Sequence, residues 1–102
     1  MLESVVQSKI IKWLESEGHY VARVVKASKA GCPDLLVCVP TLITPDMVGK
    51  TIGVFVALEV KRPKGGVVSP LQKHHIGKIQ EAGGIAAVVR SVEDVKETLA
   101  SL

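Results

Sequence analysis

Aromatic residues are scarce in this chain: one Trp, one Tyr and one Phe make up 3% of its 102 residues. Proteins that bind single-stranded nucleic acid without sequence preference stack successive bases on aromatic rings, and so few rings provide little surface for that. Long apolar runs are also lacking, whereas a helix that crosses a bilayer needs about 20 consecutive apolar residues. A base-stacking platform and a membrane-spanning helix are therefore both disfavoured.

Cysteine is rare too, at two residues. The residues between Cys32 and Cys38 have the pattern of an extended segment, and at the rise of a strand the two thiols lie roughly 20 Å apart, beyond disulfide reach. Their spacing matches no zinc-binding motif. Free thiols indicate a reducing environment, and the N-terminal residues do not follow the pattern of a signal peptide. We therefore expect an intracellular protein without a zinc site.

Positive charge is concentrated in the middle of the chain. The net charge is +3, but residues 19–80 hold nine Lys or Arg against three Asp or Glu, and the two flanks are net acidic. A basic centre favours a polyanionic partner such as nucleic acid. A solvated basic surface without a partner is the alternative that charge alone leaves open.

Apolar spacing and turn residues divide the chain into helices and strands. The predicted strands are rich in β-branched and apolar residues and cover 19–25, 35–39, 54–61 and 85–89. The predicted helices begin near Leu2, Ser69 and Ser91, and Thr44-Pro45-Asp46 indicates one further helical turn. The resulting order is α-β-β-β-α-β-α. We expect a single α/β domain over 1–102, with one mixed sheet flanked by helices.

The third strand, Phe55-Val56-Ala57-Leu58-Glu59-Val60-Lys61, ends in charged residues. Its apolar run predicts a strand that is buried on both faces. Because side chains alternate between the faces of a strand, Glu59 and Lys61 point to the same side. Buried charge without a partner is costly, so this pair requires something nearby to compensate it. The alternative is an ordinary surface ion pair at the end of a strand.

Asp34, which opens the second strand after Pro33, is a candidate companion for this pair. If the second and third strands pair antiparallel, the start of one lies beside the end of the other. Asp34 and Glu59 then share a divalent cation, with the Val60 backbone carbonyl as a third oxygen. Lys61 beside the cation can orient or deprotonate a water, which is the equipment for metal-assisted phosphodiester hydrolysis. A turn aspartate is the alternative role for Asp34.

Three segments together resemble the VRR-NUC family of the PD-(D/E)xK nuclease superfamily. They are Gly31-Cys32-Pro33-Asp34-Leu35-Leu36-Val37, Phe55-Val56-Ala57-Leu58-Glu59-Val60-Lys61-Arg62-Pro63-Lys64-Gly65 and Ser69-Pro70-Leu71-Gln72. The resemblance covers nearly the whole chain and implies a restriction-endonuclease-like core. In size the chain is similar to stand-alone members encoded by bacteriophages, which would place it in the cytoplasm of a bacterial host.

The resemblance also implies roles for individual residues. Asp34 and Glu59 would bind Mg²⁺ or Mn²⁺, and Lys61 would be the catalytic lysine. Glu3, which by itself is best explained as a helix-dipole acid on a first turn, would become an active-site acid that contacts the metal directly or through water. Gln72 would support Lys61 or the water, with a helix-capping glutamine as the alternative.

Six basic residues near the predicted site are expected to contact DNA phosphates, which sets affinity without reading sequence. They are Arg23, Lys26, Lys29, Arg62, Lys64 and Lys73. His74 and His75 are consecutive on a predicted helix, so we expect His75 to face inward, His74 to face outward, and neither to be a ligand.

The expected function is a Mg²⁺- or Mn²⁺-dependent DNA endonuclease that selects structure. The resemblance extends to stand-alone members that act as homodimers on four-way junctions, as Holliday-junction resolvases do. Apolar residues of the 41–53 connection are expected to form part of the dimer contact: Leu42, Ile43, Met47 and Val48. A flap or nicking nuclease is the first alternative, and a DNA-binding protein that retains a nuclease fold without activity is the second.

Overall fold

The structure is a computed structural model that describes residues 2–102. Three helices, four strands and one 3-10 turn follow the expected order: α1 (Glu3–Ser16), β1 (Tyr20–Arg23), β2 (Leu35–Cys38), the turn (Pro45–Met47), β3 (Val56–Val60), α2 (Pro70–Glu81), β4 (Ile85–Val89) and α3 (Val92–Ala100). The chain forms two units, Met1–Lys50 and Thr51–Leu102. No helix within 2–102 has the length and apolar character needed to cross a membrane.

In the first unit, α1 has clear sequence causes at both ends. Glu3 lies in the first turn, where a carboxylate stabilises the helix by interacting with its dipole. Gly18 ends the helix with a φ of 85°, a conformation that suits glycine. The amide of His19 then donates to the Leu14 carbonyl at 3.1 Å, which satisfies one of the last helical carbonyls.

The apolar face of α1 is more exposed than its spacing predicts. Ile10 is 43% exposed and Trp13 is 60% exposed, and no residue of the helix is fully buried. Periodic apolar residues predict which face of a helix is apolar, but they do not specify how much of that face is covered.

Strands β1 and β2 pair antiparallel, with Tyr20 opposite Cys38 and Arg23 opposite Leu35. The amide of Val24 donates to the Asp34 carbonyl at 2.8 Å and extends this ladder by one bond. Cys38 is 4% exposed and is the buried residue of β2. Asp34 therefore lies at the beginning of β2, as the sequence predicts.

The connection after β2 contains the predicted helical turn. The hydroxyl of Thr44 donates to the Asp46 carboxylate, and the Thr44 amide contacts the sulfur of Met47 at 3.5 Å. Asp46 is thus a first-turn acid, as expected. Met47 is half-buried, whereas three apolar neighbours are exposed: Leu42 at 85%, Ile43 at 75% and Val48 at 81%.

The second unit is built on a parallel β3–α2–β4 crossover. Val56 pairs with Ile85 at one end of the ladder and Val60 pairs with Val89 at the other. Parallel neighbours need a crossover connection, which α2 provides. The core of the unit lies between this sheet and its helices, and its buried residues are Ile79, Ala82, Ala86 and Val89.

Polar side chains form hydrogen bonds with backbone groups in β4 and directly after it. The side-chain amide of Gln80 donates to the Ala86 carbonyl at 3.1 Å, and the Asp94 carboxylate accepts from the Arg90 amide at 2.8 Å. Ser91 caps α3 by accepting from the Asp94 amide at 3.1 Å. The start of α3 is therefore tied to the end of β4.

One expectation about the strands is wrong. Strand β3 is not buried on both faces, since Leu58 is 38% exposed and Val60 is 72% exposed. The hydrogen-bonded ladders of residues 2–102 join β1 to β2 in the first unit and β3 to β4 in the second, and the pairing of the second with the third strand in one mixed sheet stays a prediction. An apolar run indicates a strand, but it carries no information about the neighbour that the strand chooses.

The inward face of α2 also differs from the prediction. Both His74 and His75 are exposed, and Leu71 is 66% exposed, whereas Ile76 and Gln72 are half-buried and Ile79 is buried. The helix packs through Ile76 and Ile79, on a face that is rotated away from His75. The two rings contact each other edge to face with centroids 5.6 Å apart.

Candidate active site

Glu59 and Lys61 lie at the carboxyl end of β3, on the same face of the strand. Their side chains form an ion pair, with Lys61 Nζ 3.4 Å from Glu59 Oε1. The Lys61 side chain is 18% exposed and that of Glu59 is 31% exposed. The pair is thus partly withdrawn from water, where an ion pair is screened less than on an open surface.

Gln72 contacts the same carboxylate oxygen from the first turn of α2. Its Nε2 donates to Glu59 Oε1 at 2.6 Å, while its Oε1 accepts from the Ser69 amide at 2.9 Å. The Ser69 hydroxyl in turn accepts from the backbone N–H of Gln72 at 3.1 Å, which completes a capping box. Because the cap occupies the amide oxygen, the amide nitrogen is directed toward Glu59.

The capping role that the sequence allowed for Gln72 is present, and the same side chain contacts the acid of β3. Gln72 and Lys61 both contact Glu59 Oε1, whereas support of Lys61 or of a water by Gln72 stays a prediction. The structure brings together Glu59, Lys61 and Gln72, all of which lie in the Thr51–Leu102 unit.

Two oxygens at this end of β3 are suited to a hard cation. Within residues 2–102, both recorded contacts of the Glu59 carboxylate are made by Oε1, which leaves Oε2 without a hydrogen bond or ion pair. The Lys61 amide donates to the Val89 carbonyl at 3.0 Å. The Val60 carbonyl and the Lys61 N–H belong to one trans peptide unit, in which the two groups point in opposite directions. The Val60 carbonyl therefore points away from β4. Carboxylate and carbonyl oxygens are the donors that Mg²⁺ and Mn²⁺ prefer.

The donor set of the second unit is small. Within Thr51–Leu102 no group of three or more His, Cys, Asp or Glu side chains is arranged to hold a metal ion. Mg²⁺ is commonly bound through one or two carboxylates and keeps several waters, so a set based on Glu59 and the Val60 carbonyl suits this ion better than zinc.

Asp34 and Glu3 lie in the first unit. The Asp34 side chain is exposed just before β2, and its backbone carbonyl accepts the bond from Val24. Glu3 is exposed in the first turn of α1, the position of a helix-dipole acid. Their proposed approach to the cation stays a prediction.

All six predicted phosphate contacts have exposed side chains. They are Arg23, Lys26, Lys29, Arg62, Lys64 and Lys73. Arg62 and Lys64 belong to the loop that follows Lys61, and Lys73 lies on α2 next to Gln72. Three of the six are therefore close in sequence to the cluster at the end of β3.

The sequence analysis missed Arg90 and Gly66. Arg90 follows β4 directly, and its guanidinium donates from Nη1 to the Arg62 carbonyl at 2.9 Å and from Nη2 to the Gly66 carbonyl at 2.8 Å. A Cβ on Gly66 would lie 3.0 Å from Lys61 Cβ. The strand–helix–strand pattern indicates only that two parallel strands can end at the same edge, where functional groups gather, and it does not point to this contact.

Comparison with known protein families gives one result. The family model described as the VRR-NUC domain matches residues 1–93. The matched range contains every residue of the cluster at the end of β3 and every predicted phosphate contact. No curated protein and no solved structure matches this chain.

Proposed function

This chain belongs to the VRR-NUC domain family, a membership that implies DNA-cleaving nuclease activity, and from that premise we propose a metal-dependent endonuclease that cuts branched DNA. The observation that carries the proposal is the convergence of Gln72 and Lys61 on one oxygen of Glu59, with the other oxygen left open. Such an arrangement holds a carboxylate in one orientation while one of its two oxygens remains available to a ligand.

The residues of the cluster have distinct roles in this proposal. Glu59 and the Val60 carbonyl would hold Mg²⁺ or Mn²⁺ from β3, and Asp34 would supply a second carboxylate. Glu3 would contact the ion directly or through water. When bound, the ion supplies Lewis acidity toward the phosphoryl oxygens and the leaving group.

Lys61 and Gln72 act on the water and on the acid. Lys61 orients the attacking water with its ammonium group. Gln72 holds Glu59 by donating from Nε2, and the helix cap prevents this amide from rotating. The water oxygen forms a bond to phosphorus as the bond from phosphorus to the leaving oxygen breaks; one proton of the attacking water passes to solvent, and the leaving oxygen takes a proton from solvent water.

The basic residues position the DNA. Arg62 and Lys64 contact phosphates beside Lys61, and Lys73 does so from α2. Arg23, Lys26 and Lys29 contribute further phosphate contacts from the first unit. Such contacts fix a backbone without reading bases, which favours selection by DNA structure.

We propose a homodimer acting on four-way junctions. Two symmetric cuts need two sites, and one chain carries one candidate set. The exposed apolar residues Leu42, Ile43 and Val48, which lie close together in the sequence, support this proposal as a candidate interaction segment. Met47, half-buried in the 3-10 turn, lies beside them.

Cleavage assays test the enzymatic part. Wild type is incubated with a four-way junction, a flap and a linear duplex, with Mg²⁺, Mn²⁺ or EDTA, alongside Asp34→Ala and Lys61→Ala. We expect metal-dependent cutting of the junction by wild type, and a loss of about a thousandfold or more in both variants while binding persists. Binding without cutting in either metal would instead identify a DNA-binding protein that retains the fold.

Light scattering tests the dimer. We expect twice the chain mass of 10.9 kDa for wild type, and a shift toward the single-chain mass for Leu42→Asp with Val48→Asp. A single-chain mass for wild type at working concentration would remove the dimer, and preferred cleavage of flaps or nicked duplex would favour the simpler nuclease.

A further inference from the structure

Arg90 joins the two ends of the loop that follows Lys61. Its guanidinium donates at 2.9 Å to the Arg62 carbonyl and at 2.8 Å to the Gly66 carbonyl. A planar guanidinium presents two donors in a fixed fork, which suits two fixed acceptors better than the single ammonium of lysine does. The 62–66 loop is therefore held at both ends by one side chain.

The backbone around Arg90 is fixed as well. The register places Val60 opposite Val89, so Lys61 and Arg90 each follow directly after a paired strand residue. The Arg90 amide donates to Asp94 at 2.8 Å, and Asp94 belongs to the first turn of α3. The guanidinium thus extends from a segment that is anchored to both the sheet and a helix.

Gly66 lies directly against the aliphatic stem of Lys61. A Cβ built on Gly66 would be 3.0 Å from Lys61 Cβ, 3.4 Å from Lys61 Cδ and 3.3 Å from Arg90 Nη1. A Cβ contact of 3.0 Å is tighter than most real ones, so the Lys61 stem would have to move by a few tenths of an ångström to accept a methyl group. The φ of Gly66 is not positive, so its backbone conformation does not require glycine. The close approach to Lys61 is therefore what a side chain at position 66 would disturb.

We propose that Arg90 is a positioning residue for Lys61: by closing the 62–66 loop it holds Gly66 against the lysine stem and directs Nζ toward Glu59. This inference rests on the proposed function for its effect on catalysis, but the restraint on Lys61 does not depend on cleavage. Arg90 makes no hydrogen bond or ion pair with Glu59 or Gln72, and it acts through the loop.

Two substitutions remove the restraint from opposite sides. Arg90→Lys keeps the charge but cannot donate to both carbonyls as a fork. Gly66→Ala keeps both carbonyls and inserts a methyl group against Lys61. Gly77→Ala is the matched control, since a Cβ at Gly77 would meet nothing within 4 Å. Circular dichroism shows whether each variant is folded. If Arg90→Lys does not fold, the comparison of Gly66→Ala with wild type decides the question.

The first measurement is the NMR order parameter of the Lys61 ε-methylene group, without DNA or metal. The signal is assigned by its disappearance in Lys61→Arg. The second is kcat and KM on a four-way junction. We expect lower order for Lys61 in both variants and a kcat that falls about tenfold or more, because small misplacements of catalytic groups are costly. KM should stay within about twofold of wild type in Gly66→Ala, since this variant keeps the Arg90 contacts that hold the loop carrying Arg62 and Lys64, and phosphate contacts set affinity. Gly77→Ala should match wild type in both measurements.

Two results would overturn the proposal. One is unchanged Lys61 order in the folded variants, which would make the loop contact purely structural. The other is a raised KM with unchanged kcat in Arg90→Lys, which would assign Arg90 to DNA binding. If wild type cuts no DNA, the proposed function fails, and the NMR comparison still decides whether Arg90 restrains Lys61.

Discussion

Gln72 donates to Glu59 across 2.6 Å while its own oxygen is held by the amide of Ser69. The start of a helix and the end of a strand are therefore connected by one side-chain amide. A cap that would otherwise only stabilise α2 also fixes the orientation of the acid on β3. This coupling distinguishes Gln72 from an ordinary capping residue.

Substitution of Gln72 should impair cleavage more than it impairs folding. We expect Gln72→Ala to lower cleavage about 10- to 100-fold, the usual effect of removing a partner that orients a metal ligand. Its stability should fall by about 1 kcal/mol, because one bond of the capping box is lost. Cleavage kinetics and urea denaturation measure the two effects.

Ser69→Ala is the matched control for this prediction. It removes the hydroxyl that accepts from the backbone N–H of Gln72. It leaves the backbone N–H of Ser69, which donates to the side-chain oxygen of Gln72. We expect a similar loss of stability, about 1 kcal/mol, with cleavage within about twofold of wild type. Equal losses of cleavage in the two variants would mean that Gln72 acts only as a cap.

The core of the second unit should depend on Ile79 far more than on Leu71. Ile79 is 4% exposed and Leu71, on the same helix, is 66% exposed. Truncation of a buried Ile to Ala costs about 2–5 kcal/mol, because the lost burial is accompanied by a cavity. Leu71→Ala should cost less than about 1 kcal/mol. Similar midpoints of urea denaturation for the two variants would contradict this placement of the core.

The local structure was largely predictable because its causes are local. Ser69-Pro70 begins α2, Gly18 ends α1, and the predicted strand at 85–89 is β4. Glu59 and Lys61 share a face because strand side chains alternate, which holds wherever the strand packs. Each of these predictions depends on residues within a few positions of one another.

The partners across the fold were less predictable. The parallel pairing of β3 with β4 was not predicted, and the antiparallel pairing expected from the chemistry of Asp34 and Glu59 stays a prediction. Arg90 is separated from Arg62 and Gly66 by more than twenty positions, so no spacing in the sequence points to that contact. His75 was misplaced because an apolar stripe on a short helix defines its rotation only coarsely.

Lys64 should contribute to DNA affinity through salt-dependent contact with a phosphate. We expect Lys64→Gln to weaken junction binding similarly for all sequences and to reduce the slope of log Kd against log salt by about 1. Lys96→Gln is the matched control, because Lys96 is an exposed lysine on α3 paired with Glu93. Fluorescence anisotropy over a range of salt concentrations measures both slopes. A slope unchanged by Lys64→Gln would place Lys64 outside the DNA interface.

Divalent metal should stabilise the folded protein if Glu59 and Asp34 bind it. A ligand at ten times its Kd adds about 1.4 kcal/mol to the free energy of unfolding, so Tm should rise by several degrees in millimolar Mn²⁺. Glu59→Gln and Asp34→Asn should each reduce this rise. Glu93→Gln should leave it intact, because Glu93 is an exposed acid in the first turn of α3. A wild-type Tm that does not respond to Mn²⁺ would contradict the metal site, and a rise that survives Glu59→Gln would place the ion elsewhere.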